Sequence, residues 1–284
     1  MEILKGAGTS ARLKEDVRKM LDTLGGRIPK LAIIRVGVRP DDVSYERSAV
    51  KKLESFGLQA ETFSYDQDIS DQDFKREFKR INEDKDIDGI LLLRPLPKQI
   101  CEKDLEAMID PEKDLDGISP VNVAKVFAGD DSGFAPCTTE AVVEVLKQNQ
   151  ISITGKRVVI VGRSMVVGKP LSMLLLKENA TVTICHTRTK DLKGICREAE
   201  ILVAAAGKAR MLDEEYVAQD AVVVDVGINV DENGNLCGDV DFDSIREKAS
   251  IATPVPGGVG AVTTAVLAKH LVQSCVKKFG ACTE

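Results

Sequence analysis

Short unbroken apolar runs alternate with stretches whose apolar residues recur every three or four positions along most of this chain. The runs LAIIRV (31–36), GILLL (89–93) and VVIV (158–161) have the length and continuity of parallel strands covered on both faces. Shorter strands are expected at 60–64, 181–185, 201–205 and 221–225. Helical spacing predicts helices over 10–24, 41–56, 70–82, 139–148 and 262–279, with Ser70 as an N-cap. Alternation of this kind implies parallel sheets with helices on both faces. The pattern loosens over 110–135, where proline, glycine and aspartate dominate, so this segment reads as loop and approach to a linker. The two series on either side read as two α/β domains with a cleft between them.

Composition narrows the function classes. The chain is 43% hydrophobic and 30% charged, an ordinary globular balance. A net charge of −6 argues against nucleic acid or an anionic membrane as a standing partner, though not against a local basic pocket. No stretch approaches the ~20 apolar residues of a membrane span. The N-terminal segment MEILKGAGTSARLKEDV has no signal-like apolar run, so a cytoplasmic setting is expected. The seven cysteines, Cys101, Cys137, Cys185, Cys196, Cys237, Cys275 and Cys282, form no C-x-x-C, which fits reduced thiols. With only His186 and His270 for histidines, no metal site is expected.

The stretch RVVIVGRSMVVGKPLSMLLL (157–176) carries the clearest candidate chemistry. A buried strand turns through Gly162 and Gly168 into a helix whose Leu171, Leu174 and Leu175 share a face. Such a turn aims free N–H groups and a helix dipole at an anion. The spacing is G-x-S-x-x-x-G rather than G-x-G-x-x-G, so both a plain βα turn and a dinucleotide site fit it. The next strand runs into His186, Thr187 and Arg188, with no carboxylate to grip ribose hydroxyls. Arg163 and Arg188 suit a 2′-phosphate, which favours NADP over NAD; the alternative is a pair of solvated surface charges. Ile228, after the strand ending at Asp225, is placed to pack near the nicotinamide.

In the first half, Tyr45, Ala49, Lys52 and Phe56 fall on one helical arc, while Val43 and Val50 lie on another. Tyr45 can face a cleft or be a half-buried tyrosine with its hydroxyl in water. The pair Asp114 and Asp116 before Gly117 fits a ligand loop or a plain Asp-Gly turn.

SYERSAVKKLESFG, GILLLRPLP, PEKDLDGISPVN, PCTTEA, ITGKRVVIVGRSMVVGKP, ATVTICHTRT, DVGIN, GDVDF and TPVPGGVGAVTT, in this order, resemble the bifunctional methylenetetrahydrofolate dehydrogenase/methenyltetrahydrofolate cyclohydrolase (FolD-type) family. The resemblance implies an α/β fold with an N-terminal substrate domain (1–137), a Rossmann-type NADP domain (138–264), and a last helix (265–284) packing back on the first domain. It also implies a homodimer joined through the cofactor domains, with tetrahydrofolate substrates. The implied reactions are oxidation of 5,10-methylenetetrahydrofolate to the methenyl cation and hydrolysis of that cation to 10-formyltetrahydrofolate. By resemblance, Tyr45 would stack beside the pterin and Asp116 would bind its ring N–H and amino donors. Gly162, Arg163, Ser164 and Gly168 would form the phosphate turn, with Thr187 and Arg188 assisting and Ile228 near the nicotinamide. Pro256, Gly257, Gly258, Val259 and Gly260 would close on folate and cofactor.

Two positions depart from the family pattern. Tyr-x-x-x-Lys becomes Tyr45 followed by Ala49, and the glutamine of Val-Gln-Leu-Pro becomes Leu93. The lysine serves the hydrolysis in the family, so hydrolysis here is expected either to be weak or to use another group. Lys52 and Arg94 are the candidate substitutes. Two other classes compete: a non-catalytic NADP-binding sensor, and a different two-domain dehydrogenase, whose Lys/Asp or His/Asp proton-transfer pair is not visible.

Overall fold

The computed structural model describes residues 1–279; Cys282 and the end of the final predicted segment lie outside the described residues. The chain forms two compact units. Among the described residues, one comprises Leu13–Ala135 with 264–279, and the other Met1–Arg12 with Pro136–Thr263. The first twelve residues thus differ from the expectation that 1–137 forms one domain. The cause is β1 (Glu2–Ile3), which pairs in parallel with a strand near residue 251. α1 (Gly6–Asp22) follows it.

In the first unit, β2 (Lys30–Val36), β3 (Gln59–Tyr65) and β4 (Gly89–Leu92) form a parallel sheet in the order β3-β2-β4. α2 (Pro40–Ser55) and α3 (Asp71–Glu83) are the crossovers. The central β2 is buried over nearly its whole length, as its unbroken apolar run requires. α3 buries Phe74, Phe78 and Ile81, one stripe at i, i+4 and i+7, against Ile34 and Ile90. Ser70 Oγ accepts the Asp73 N–H at 3.1 Å, the expected N-cap.

The 110–135 segment is more ordered than its composition suggests. α4 (Glu102–Met108) precedes it, and α5 (Pro120–Ala128) lies within it. Ser119 caps α5 through the Asn122 N–H at 3.2 Å, Pro120 occupies the first turn, and Gly129 ends it in the left-handed region at φ 72°. These residues read as loop only because start and stop signals lie nine residues apart.

The second unit is a six-stranded, wholly parallel sheet. After α6 (Cys137–Gln148) come β5 (Arg157–Val161), α7 (Gly168–Lys177), β6 (Thr181–Cys185), α8 (Leu192–Cys196), β7 (Ile201–Ala204) and β8 (Val222–Asp225). An antiparallel ribbon follows, β9 (Asn229–Val230) with β10 (Leu236–Cys237), then β11 (Ile251–Ala252) and α9 (Gly260–Phe279). The sheet order is β1-β11-β8-β7-β5-β6. Gly162, His186, Ala205 and Val226 therefore stand at the carboxyl ends of adjacent strands, where open parallel sheets bind ligands. Among the described residues no helix is long and apolar enough to cross a membrane, and no group of three or more His, Cys, Asp or Glu could hold a metal.

Candidate active site

In the second unit the turn from β5 into α7, the candidate phosphate turn, is set by two backbone approaches. Gly162 adopts φ 144°, and a methyl group there would overlap the Ala205 carbonyl. A methyl at Gly168 would overlap the Gly162 carbonyl. These glycines fold the chain from β5 directly into α7, whose first N–H groups face the turn. Ser164 Oγ accepts the Val167 N–H at 3.1 Å, and the Lys169 N–H reaches Ser164 O at 3.1 Å. Arg163 and Ser164 are exposed on this turn.

At the end of β6, Thr187 and Arg188 are exposed. The Arg188 N–H donates to His186 Nδ1 at 3.1 Å, and the His186 N–H to Thr189 Oγ1 at 2.8 Å, so the turn is rigid while the guanidinium projects. Neither Arg163 nor Arg188 has a carboxylate partner among the described residues. Two unneutralised guanidiniums and a cradle that a methyl would fill fit a phosphorylated dinucleotide. Ile228 is 71% exposed, a large apolar side chain bare at the carboxyl end of the sheet. In the proline-glycine loop, Pro256, Gly257 and Gly260 are exposed, but Val259 is buried. The side chain of Val259 is therefore core, and only its backbone can meet a ligand.

Sequence reasoning passed over the two buried carboxylates beneath this surface. Asp225 accepts N–H bonds from Gly227 at 2.9 Å, Asp239 at 3.1 Å and Val240 at 2.9 Å. Burial nevertheless raises its pKa from 3.8 to about 6. A folded-state value above the unfolded one means that the stabilising contribution of Asp225 is full below pH 3.8 and is lost as pH rises through about 6. Asp225→Asn removes that titration. The stability of the parent relative to the variant is expected to fall by about 3 kcal/mol between pH 4 and 7 in urea melts. A difference that stays constant with pH would show that this carboxyl titrates at its ordinary value.

In the first unit, α2 presents Tyr45 half-buried, while Ala49, Leu53 and Phe56 form its buried stripe. Val43 and Val50 are only half-buried and do not anchor the helix. Arg35 on β2 pairs with Glu46 at 2.8 Å and reaches Ser64 Oγ at 2.8 Å, holding α2 against the sheet beside Tyr45. Ala49 is 0% exposed and Leu93 8%, so the two positions that depart from the family pattern are both closed to solvent.

Each candidate substitute has a contact of its own. The Lys52 ammonium lies 5.6 Å from the centre of the Phe56 ring, one turn further along α2, whereas Tyr45 is seven residues back, about 10 Å along the axis. Burial, with Lys14 adding repulsion, lowers its pKa. Arg94 Nη1 pairs with Glu106 on α4 at 3.6 Å.

Asp116 sits half-buried on a loop that its neighbours immobilise. Asp114, 1% exposed, accepts from the Ile118 and Ser119 N–H groups at 2.9 and 2.8 Å and from Asn122 Nδ2 at 2.9 Å. His270 Nδ1 lies 2.8 Å from the Leu115 carbonyl. Of the two carboxylates in DLDG, Asp114 makes the turn, and Asp116 stands half-buried beside it. Asn122 closes the PEKDLDGISPVN segment but its contact with Asp114 is not legible there, and His270 carries no motif signal.

Two family models match the chain. Tetrahydrofolate dehydrogenase/cyclohydrolase, catalytic domain, covers residues 4–116, and its NAD(P)-binding domain covers 136–279. The chain is 52% identical over 276 residues to the protein named Bifunctional protein FolD of Clostridioides difficile, covering 96% of each. Among solved structures, it superposes with a TM-score of 0.94 on a bifunctional methylenetetrahydrofolate dehydrogenase/cyclohydrolase from Campylobacter jejuni, at 38% identity and covering 98% and 99% of the two chains. The Trypanosoma brucei dehydrogenase-cyclohydrolase complexed with NADP cofactor and inhibitor gives 0.89 at 34% identity, covering 97% of each.

Proposed function

The chain belongs to the tetrahydrofolate dehydrogenase/cyclohydrolase family of enzymes, and we propose that its main activity is NADP-dependent oxidation of 5,10-methylenetetrahydrofolate to 5,10-methenyltetrahydrofolate, with hydrolysis to 10-formyltetrahydrofolate weak. NADP, when bound, supplies a hydride acceptor. The chain's own residues orient it: Gly162, Ser164 and Gly168 take the phosphates, Arg163 and Arg188 the 2′-phosphate, and Ile228 borders the nicotinamide. Tyr45 stacks on the pterin and Asp116 accepts its N–H donors. Hydride transfer needs orientation of two bound molecules more than a general base, so it does not depend on position 49.

The observation that carries the NADP assignment is the pair of unneutralised guanidiniums at the turn. Arg163→Ala with Arg188→Ala is expected to raise KM for NADP by about 10–100-fold, one or two charged hydrogen bonds, and to leave KM for NAD unchanged. Initial rates with both cofactors check this; equal effects on NAD and NADP would remove the 2′-phosphate from the assignment.

The weak hydrolysis rests on Ala49 and Leu93, both buried and neither able to move a proton. Lys52 lies over the Phe56 ring and Arg94 pairs with Glu106, contacts that support the reading that neither takes over the role of the lysine. A homodimer through the cofactor domains is supported by β6, an edge strand with Ile184 36% exposed. Light scattering is the check, and a monomer mass at micromolar concentration would sink it.

A further inference from the structure

Asp239 is 0% exposed and carries four hydrogen bonds from two separate segments. Its Oδ2 accepts the Ala206 and Gly207 N–H groups at 2.6 and 3.0 Å. Its Oδ1 accepts the Lys208 N–H at 2.8 Å and Asn229 Nδ2 at 2.9 Å. Residues 206–210 are all exposed on their outer side, so three successive amides of an exposed loop hang inward on one buried carboxylate. Such an arrangement, with the charge fully desolvated and every oxygen used, is costly to disturb.

Two glycines lock the carboxylates in place. A methyl at Gly227 would overlap the Asp239 carboxyl, and a methyl at Gly238 would overlap that of Asp225. The segments Asp225–Gly227 and Gly238–Asp239 therefore interlock reciprocally, each glycine making room for the other segment's aspartate. The loop that Asp239 holds begins at Ala205, whose carbonyl is the atom against which Gly162 packs. The ribbon it holds begins at Asn229, next to the bare Ile228. One carboxylate thus joins the floor of the phosphate turn to the apolar side chain at the far side of the carboxyl-end crevice.

We infer that Asp239 is a positioning residue for the cofactor: it fixes the spacing between the 205–208 loop and the Ile228 ribbon across the carboxyl ends of β7 and β8. This rests on the proposed cofactor site and adds the residue that sets its width. Asp239 does not touch the reacting atoms. It acts by keeping two ligand-facing segments in register, where displacement of about 1 Å costs up to 10²-fold.

The test uses the full-length protein and three variants: Asp239→Asn, which keeps the size but turns an NH2 group toward N–H donors; Asp239→Glu, which keeps the charge; and Asn229→Ala, which removes a single donor. NADP binding is measured by calorimetry, KM for NADP and for methylenetetrahydrofolate by initial rates, and Tm by scanning. Asp239→Asn is expected to weaken NADP binding about tenfold or more, and Asn229→Ala about two- to fivefold. Asp239→Glu is expected to fall between Asp239→Asn and the parent, with KM for methylenetetrahydrofolate within about twofold throughout. A folded Asp239→Asn with parental NADP affinity overturns the inference. So does a parallel rise in both KM values tracking Tm, which is what a merely structural role gives. If Asp239→Asn does not fold, unchanged NADP affinity in Asn229→Ala overturns it. Failure of the parent itself to bind NADP or NAD would be seen first and would overturn the cofactor assignment, and this inference with it.

Discussion

The double variant Ala49→Lys with Leu93→Gln is expected to hydrolyse 5,10-methenyltetrahydrofolate at least about 10²-fold faster than the parent, the lower end of what a positioned proton-transfer group contributes. The parent lacks a titratable group at position 49. A lysine at position 49 enters a site that is 0% exposed, so its pKa falls by desolvation toward the range useful for proton transfer. The single variants are expected to behave differently. Ala49→Lys alone buries an ammonium with no amide opposite and overfills the site, at a cost of about 1–3 kcal/mol. Leu93→Gln alone leaves a covered amide unpaired, at a similar cost of about 1–3 kcal/mol. The lysine and glutamine of the family pattern are expected to act as a pair here, with stability and hydrolysis both non-additive across the cycle. Oxidation of methylenetetrahydrofolate should change little. Loss of methenyl absorbance in the absence of NADP measures hydrolysis directly. A parent already as fast as the double variant would end the proposal that Ala49 and Leu93 weaken this step.

The parts of the fold legible in the sequence are those fixed by local pattern. The buried runs at 31–36 and 158–161 are central strands because a two-sided burial demands continuous apolar side chains. Ser70 caps its helix because that geometry needs only a residue three positions on. What escaped depends on distant partners or on elements too short to show a period. β1 is two residues long and exists through pairing with β11, nearly the whole chain away. α5 spans nine residues inside a stretch rich in turn formers. At the site, glycines and arginines were readable because a motif carries them. Asp239 was not given its role, because an aspartate that accepts backbone N–H groups from a loop about thirty residues away looks, in one dimension, like any surface aspartate. For Lys52 and Arg94, helical arc and chain adjacency name the candidates, but their contacts with Phe56 and Glu106 come from packing that no local pattern encodes.

Gly168→Ala is expected to raise KM for NADP by about 10²-fold or more and to destabilise the protein by about 3 kcal/mol, while Gly260→Ala leaves stability unchanged or slightly higher. Both glycines are cofactor-site candidates, but their surroundings differ. A methyl at Gly168 meets the Gly162 carbonyl and the Arg163 Cα, backbone atoms of the turn itself, which cannot rotate aside. Relief requires β5 and α7 to separate or Arg163 to swing out, and either change displaces the turn proposed to hold the phosphates. At Gly260 nothing lies within 4 Å of the added methyl, and the residue opens α9, where alanine is the better helix former. Stability therefore separates two causes that activity alone confuses. If Gly260→Ala loses cofactor affinity with an unchanged Tm, the methyl has met the ligand, because the protein offers it no other obstacle. If Gly168→Ala keeps both its Tm and its KM for NADP, the close approach of α7 to the Gly162 carbonyl does not shape the site, and the phosphate turn must be sought elsewhere.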